Sequence, residues 1–148
     1  MPIEGDEAFD FLLKKGRRRL SIQVKMQRKK DHRPMKANEG YRFLPSELFV
    51  VETQRTRGGK TKSGDETRPY RFGDFDILAV CMEPCTGDWS VFRYTVAKWL
   101  IPNPNNSEQI LKFQPVSFEP NDDWPDTLEE CLKWVSKRRK KTIAGQSQ

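Results

Sequence analysis

Strict alternation of apolar and polar residues marks the segment 18–26. Leu20, Ile22 and Val24 fall on one side, and Ser21, Gln23 and Lys25 on the other. This period of two is what a half-buried strand requires. Ahead of it, Phe9-Asp10-Phe11-Leu12-Leu13 reads as a short strand, and Lys14-Lys15-Gly16-Arg17 as a tight connection turning at Gly16. Residues 27–40 are polar and read as a loop or short irregular helix. Residues 48–53 (LFVVET) are β-branched and aromatic and predict a third strand. Residues 55–69, with Gly58, Gly59 and Gly64 among many charges, predict an exposed, mobile loop.

The unbroken apolar run 76–81 predicts a strand covered on both faces. A turn at 84–88 leads to 90–96, its expected antiparallel partner. Pro102-Asn103-Pro104-Asn105-Asn106 predicts a break, and 110–118 an extended piece that Pro115 restricts to an edge. The clearest helix signal is late. Thr127 and Glu130 have capping-box spacing, and Leu128, Cys131, Leu132 and Val135 repeat at i, i+3, i+4, i+7. The expectation is one α+β domain over residues 1–141, richer in strand than helix, followed by a disordered tail at 142–148.

Composition refines this picture. Hydrophobic residues are 35% and charged residues 32% of 148, so the core must lean on nine Phe, four Trp and three Tyr. The four tryptophans therefore read as packing residues before base-stacking platforms. A net charge of +6 favours polyanionic partners. The positive residues cluster at 14–19, 25–33, 55–62 and 137–141, and acids gather at 119–130, which predicts a basic face. The run at 137–141 suits the C-terminal turn of a helix. Cys81, Cys85 and Cys131 are an odd number without disulfide spacing, and Cys81 and Cys131 fall in apolar patterns as core thiols. No apolar stretch is long enough to span a bilayer. A cytoplasmic protein is the expectation. His32 stands alone, with no second His or suitably spaced Cys, so neither a zinc site nor a Ser/His/Asp arrangement is supported.

Candidate chemistry sits on the first two strands. Gln23 and Lys25 share a face about 7 Å apart, and Asp10 lies on the neighbouring strand. A carboxylate with neutral oxygen donors can hold Mg²⁺, and an ammonium beside it can orient water and offset developing charge at a phosphoryl group. Asp10 would be the anionic ligand, Gln23 and the Val24 carbonyl the neutral ones, and Lys25 the positioned cation. Spacing alone favours an ordinary exposed strand face with Gln23 and Lys25 pointing at water. Glu52 could approach as a further carboxylate, or form a surface ion pair near Arg55 and Arg57.

Gly5-Asp6-Glu7-Ala8-Phe9-Asp10 followed by Ile22-Gln23-Val24-Lys25 resembles the motif of the PD-(D/E)XK nuclease superfamily. The resemblance is to QxK branches such as Mrr-type restriction and group I intron homing endonucleases. Residues 70–80 (YRFGDFDILAV) are similar to the next core strand of such nucleases, and the likeness extends over about 5–100. It implies a restriction endonuclease-like mixed sheet with flanking helices, although the helix those enzymes place before the first catalytic strand has no counterpart in residues 1–4. It further implies a Mg²⁺-dependent endodeoxyribonuclease with Asp10, Gln23 and Lys25 catalytic, Asp6 a helper, DNA as partner and a homodimer by analogy. The alternative is a non-catalytic DNA-binding or partner subunit on a degenerate nuclease fold. In either case Arg17, Arg18 and Arg19 at the hairpin tip beside the site, with Arg55, Arg57, Lys60 and Lys62, would meet phosphates.

Overall fold

A computed structural model describes residues 10–56 and 67–143. In chain order the strands are β1 (Phe11–Lys15), β2 (Arg18–Met26), β3 (Lys29–Lys30), β4 (Arg33–Pro34), β5 (Phe49–Glu52), β6 (Gln54–Thr56), β7 (Thr67–Pro69), β8 (Ile77–Cys81), β9 (Phe92–Val96), β10 (Pro102–Asn103), β11 (Asn106–Ile110) and β12 (Phe113–Val116). The helices are α1 (Ala37–Gly40), α2 (Glu83–Thr86) and α3 (Leu128–Lys137). The fold is α+β and dominated by strand.

The centre is a four-stranded mixed sheet in the order β1-β2-β8-β9. Gly16, at φ +63°, turns β1 into β2, and the two pair antiparallel with Phe11 opposite Ile22. β2 then runs parallel to β8, with Ile22 opposite Ile77, and β9 returns antiparallel. Asp76 fixes the register of the parallel pair. Its Oδ2 accepts from Ser21 N at 2.8 Å and Ser21 Oγ at 3.2 Å, and its own N–H donates to Ser21 O at 2.9 Å.

Both sides of this sheet are covered. Every residue of β8 is buried, as its unbroken apolar run predicts. α3 packs against β9; Thr127 Oγ1 accepts from Glu130 N, and Arg138 closes the helix in the left-handed region. The other cover is a separate ribbon in which β12 pairs antiparallel with β5, Pro115 lying opposite Val50. β2 reaches this ribbon through a bridge from Gln27 to Val51.

Several expectations need correction. The polar side of β2 is not a solvated face, because Ser21 and Gln23 are buried, with Gln23 beside Leu78 of β8. The segment 27–40 is neither loop nor irregular helix throughout. It holds the β3–β4 hairpin, turned by Asp31 and His32 at positive φ, before the single turn α1. The expected turn at 84–88 is the short helix α2 with Gly87 in the left-handed region. The break at 102–106 is the turn of a β10–β11 hairpin. The flanks of the expected loop 55–69 pair as β6 and β7, while 57–66 lie outside the described residues. Ile143, assigned by the sequence to the tail 142–148, is buried and donates its N–H to Trp99 O at 2.8 Å. Residues 144–148 lie outside the described residues. Among the described residues no helix is long and apolar enough to cross a membrane.

Candidate functional site

The site forms where β1 begins. Continuing the β1–β2 register one residue back sets Asp10 opposite Gln23, and the Asp10 N–H donates to Ile22 O at 2.9 Å. The exposed Asp10 carboxylate then accepts twice through Oδ2, from Gln23 Nε2 at 2.9 Å and from Val24 N at 3.0 Å. Gln23 Nε2 also reaches Val24 O at 3.3 Å. Asp10, Gln23 and Val24 therefore meet at one point.

The Gln23 amide is buried, so its terminal group is held by these contacts. A half-turn of that amide would present Oε1 where Nε2 now lies, since the two ends are close in shape. The point would then be ringed by a carboxylate, an amide oxygen and a backbone carbonyl. Such an all-oxygen set fits a hard divalent cation that keeps several waters, as Mg²⁺ does. It contains one anionic ligand. Among the described residues no group of three His, Cys, Asp or Glu side chains gathers to hold a metal, and Asp6 lies outside them.

Lys25 is two residues along the same face. Its Nζ donates to Gln54 O at 2.9 Å and lies 5.4 Å from the centre of the Tyr70 ring. Burial pushes its pKa below the ordinary lysine value, and the Asp10 and Glu52 carboxylates oppose that shift. The amine is thus partly desolvated yet tethered near two acids. That combination makes a lysine able to exchange protons closer to neutral pH than a free one.

Glu52 takes the surface-pair reading. It is bound by Arg28 and lies 3.9 Å from Lys112 Nζ, so its charge reaches Lys25 but is shared with two cations. The hairpin tip does not lie beside the site. Arg18 is five residues from Gln23 along β2, about 17 Å at strand rise, so Arg17, Arg18 and Arg19 crown the far end of the sheet. Arg55 lies in β6, and Arg57, Lys60 and Lys62 lie outside the described residues. The tryptophans divide: Trp99 and Trp124 are buried, whereas Trp89 is exposed.

Sequence reasoning missed the roles of two neighbours of the site. Tyr70 and the Gln54 carbonyl are what hold Lys25, and neither has a motif; only the aromatic lead of YRFGDFDILAV hinted at Tyr70. A cavity of about 620 Å³ lies elsewhere, beside Arg18 and Trp134. Compared with family models, curated proteins and solved structures, the chain matches none.

Proposed function

We propose that this chain is a Mg²⁺-dependent endonuclease that hydrolyses phosphodiester bonds of DNA. The observation that carries the reading is the convergence of Asp10, Gln23 and Val24 at 2.9–3.3 Å, with Lys25 beside them. The mixed sheet supports it further. The carboxylate strand pairs antiparallel with the QxK strand, which in turn runs parallel to the FDILAV strand, an order compatible with the restriction endonuclease-like fold.

Bound at this point, Mg²⁺ would supply Lewis-acid polarisation of a phosphoryl oxygen. Asp10, the Gln23 amide oxygen and the Val24 carbonyl would hold it. Lys25, fixed by Gln54 O and Tyr70, would orient a water toward the phosphorus and place positive charge where negative charge develops. Its lowered pKa lets it exchange a proton with that water at smaller cost than an exposed lysine. A cut through both strands would take two copies of this site, hence a homodimer.

The single carboxylate among the described donors favours one other reading, a DNA-binding or partner subunit that retains the geometry without cutting. Plasmid nicking with and without Mg²⁺, wild type beside Lys25→Ala, separates the two. Metal-dependent cutting by the wild type that disappears in the variant is the expected result. Salt-sensitive DNA binding with no cutting by either protein would replace the nuclease by the binding subunit.

A further inference from the structure

The cavity of about 620 Å³ at the other end of the sheet is lined by six cations and one carboxylate. Arg18 comes from β2, Lys98 from the turn after β9, and Arg138, Arg139, Lys140 and Lys141 from the end of α3. Trp99 and Trp134 form its apolar wall, their rings 6.0 Å apart. Its size is that of a small-ligand site.

A helix-end charge run explains only part of this. The last carbonyls of α3 are already capped, because Arg138 N donates to Trp134 O and Val135 O. Arg139 lies over the Trp134 ring, and Lys141 is paired with Asp123 at 2.5 Å. Arg18 and Lys98 belong to other elements and do not serve the end of α3. None of Arg18, Lys98, Arg138 and Lys140 makes an ion pair among the described residues. The one lining acid, Asp76, has Oδ2 engaged by Ser21. Four unpaired cations from three elements thus face one concave space with a low-dielectric wall, which concentrates positive potential there.

We propose that this cavity binds a phosphoryl group, either a terminal phosphate of a nucleotide or oligonucleotide, or a backbone phosphodiester of a nucleic acid. Arg18 and Arg138 supply planar donor forks suited to phosphate oxygens, and Lys98 and Lys140 act as point charges. The site lies about 17 Å along β2 from Gln23 and stands whether or not the Asp10 site cuts.

The test titrates the full chain by calorimetry and tryptophan fluorescence with three probes. These are inorganic pyrophosphate, a 5′-phosphorylated single-stranded 12-mer, and the same 12-mer ending in a 5′-hydroxyl. The variants are Arg18→Ala/Lys98→Ala and Arg138→Gly, with Lys133→Ala as a surface control. Arg138 is at φ 54°, so glycine there relieves the backbone while deleting the charge and cannot fail by unfolding α3. Binding by wild type and Lys133→Ala that weakens at least tenfold in both cavity variants is the expected result. A strong preference for the 5′-phosphoryl probe identifies a terminal phosphate. Equal binding of both oligonucleotides, displaced by pyrophosphate, identifies the backbone. No binding of any probe to wild type, or equal binding by all variants, overturns the proposal. Lys25→Ala leaves the cavity intact, so loss of cutting without loss of pyrophosphate binding keeps the two readings distinct.

Discussion

Asp76→Ala tests what holds the parallel strands in register. The carboxylate accepts from Ser21 N and Ser21 Oγ at 2.8 and 3.2 Å. Removing it leaves the N–H of a buried residue without its acceptor. One charged hydrogen bond lost in this way costs about 1.5–3 kcal/mol. Partial exposure of the pair puts the value near the lower half of that range, about 2 kcal/mol. For a chain of 148 residues each kcal/mol moves the midpoint by about 2–4 °C, so Tm should fall by about 4–8 °C. Asp76→Asn keeps an acceptor for Ser21 N and should lose about half as much. Ser21→Ala should show coupling to Asp76→Ala in a double-mutant cycle, since the two share the bonds. Thermal unfolding followed by circular dichroism reads the wild type, the three single variants and the double mutant. A midpoint for Asp76→Ala within about 1 °C of wild type would refute the latch, because no reading of those bonds predicts a smaller effect.

Four further outcomes follow from the same geometry. Gln27 is buried with neither Nε2 nor Oε1 hydrogen-bonded, so Gln27→Leu should be neutral or raise Tm by about 2–4 °C; a clear fall in Tm would show that the amide is needed. A Cβ at Gly40 would meet the Phe113 side chain at 3.1 Å, closer than ordinary van der Waals contact, so Phe113 must give way and Gly40→Ala should cost about 1–3 kcal/mol in urea unfolding. Burial pushes the Cys131 thiol up to about 12, so half-buried Cys85 should react with a thiol reagent at pH 8 well before it; simultaneous labelling would contradict the burial. Lys25 titrates lower in the folded than in the unfolded chain, so the unfolded state holds more protons between the two values. Wild-type stability relative to Lys25→Met should therefore rise as pH rises through the folded value toward 10.5, and a constant difference in urea midpoints from pH 7 to 10 would remove the shift.

Where burial decides structure, the residue pattern was readable. β2 has the bounds its alternation predicts, β8 is the doubly covered strand its apolar run predicts, and Thr127 caps the helix its hydroxyl predicts. Asp10 and Gln23 meet because the turn at Gly16 sets a hairpin register that places them opposite one another. Where backbone pairing decides, the pattern was silent. The β3–β4 and β10–β11 hairpins are short and largely solvent-facing, so their strands carry no hydrophobic period to detect. The positive φ of Asp31 and His32 has no glycine to announce it. Charge was the least local quantity of all: Arg17–Arg19 seem adjacent to Gln23 in the sequence only because a strand's length is easy to overlook.

The layer that escaped the pattern is also what gives Lys25 its chemistry. Alternation along β2 puts Gln23 and Lys25 on a polar face, which implies solvent and an ordinary ammonium. Leu78 and Val80 are neighbours on that same face and are fully buried, so something must cover it. The cover comes from the stretch between β2 and β8. Thr53, fully buried, anchors it through hydrogen bonds to Leu111 O and Lys112 O at 2.9 Å, and one residue later the Gln54 carbonyl takes the Lys25 ammonium. The Tyr70 ring, packed edge-on against Phe75, supplies the apolar wall. Desolvation of Lys25 is thus a property of the crossover connection and not of the QxK strand. A substitution in that connection, Tyr70→Ala, should hydrate Lys25 and return its pKa toward 10.5 while leaving the Asp10–Gln23 contact in place. Nitrogen-15 NMR of the lysine side chains reads the first effect, and a Lys25 titration unmoved by loss of the ring would place the cause of its shift elsewhere.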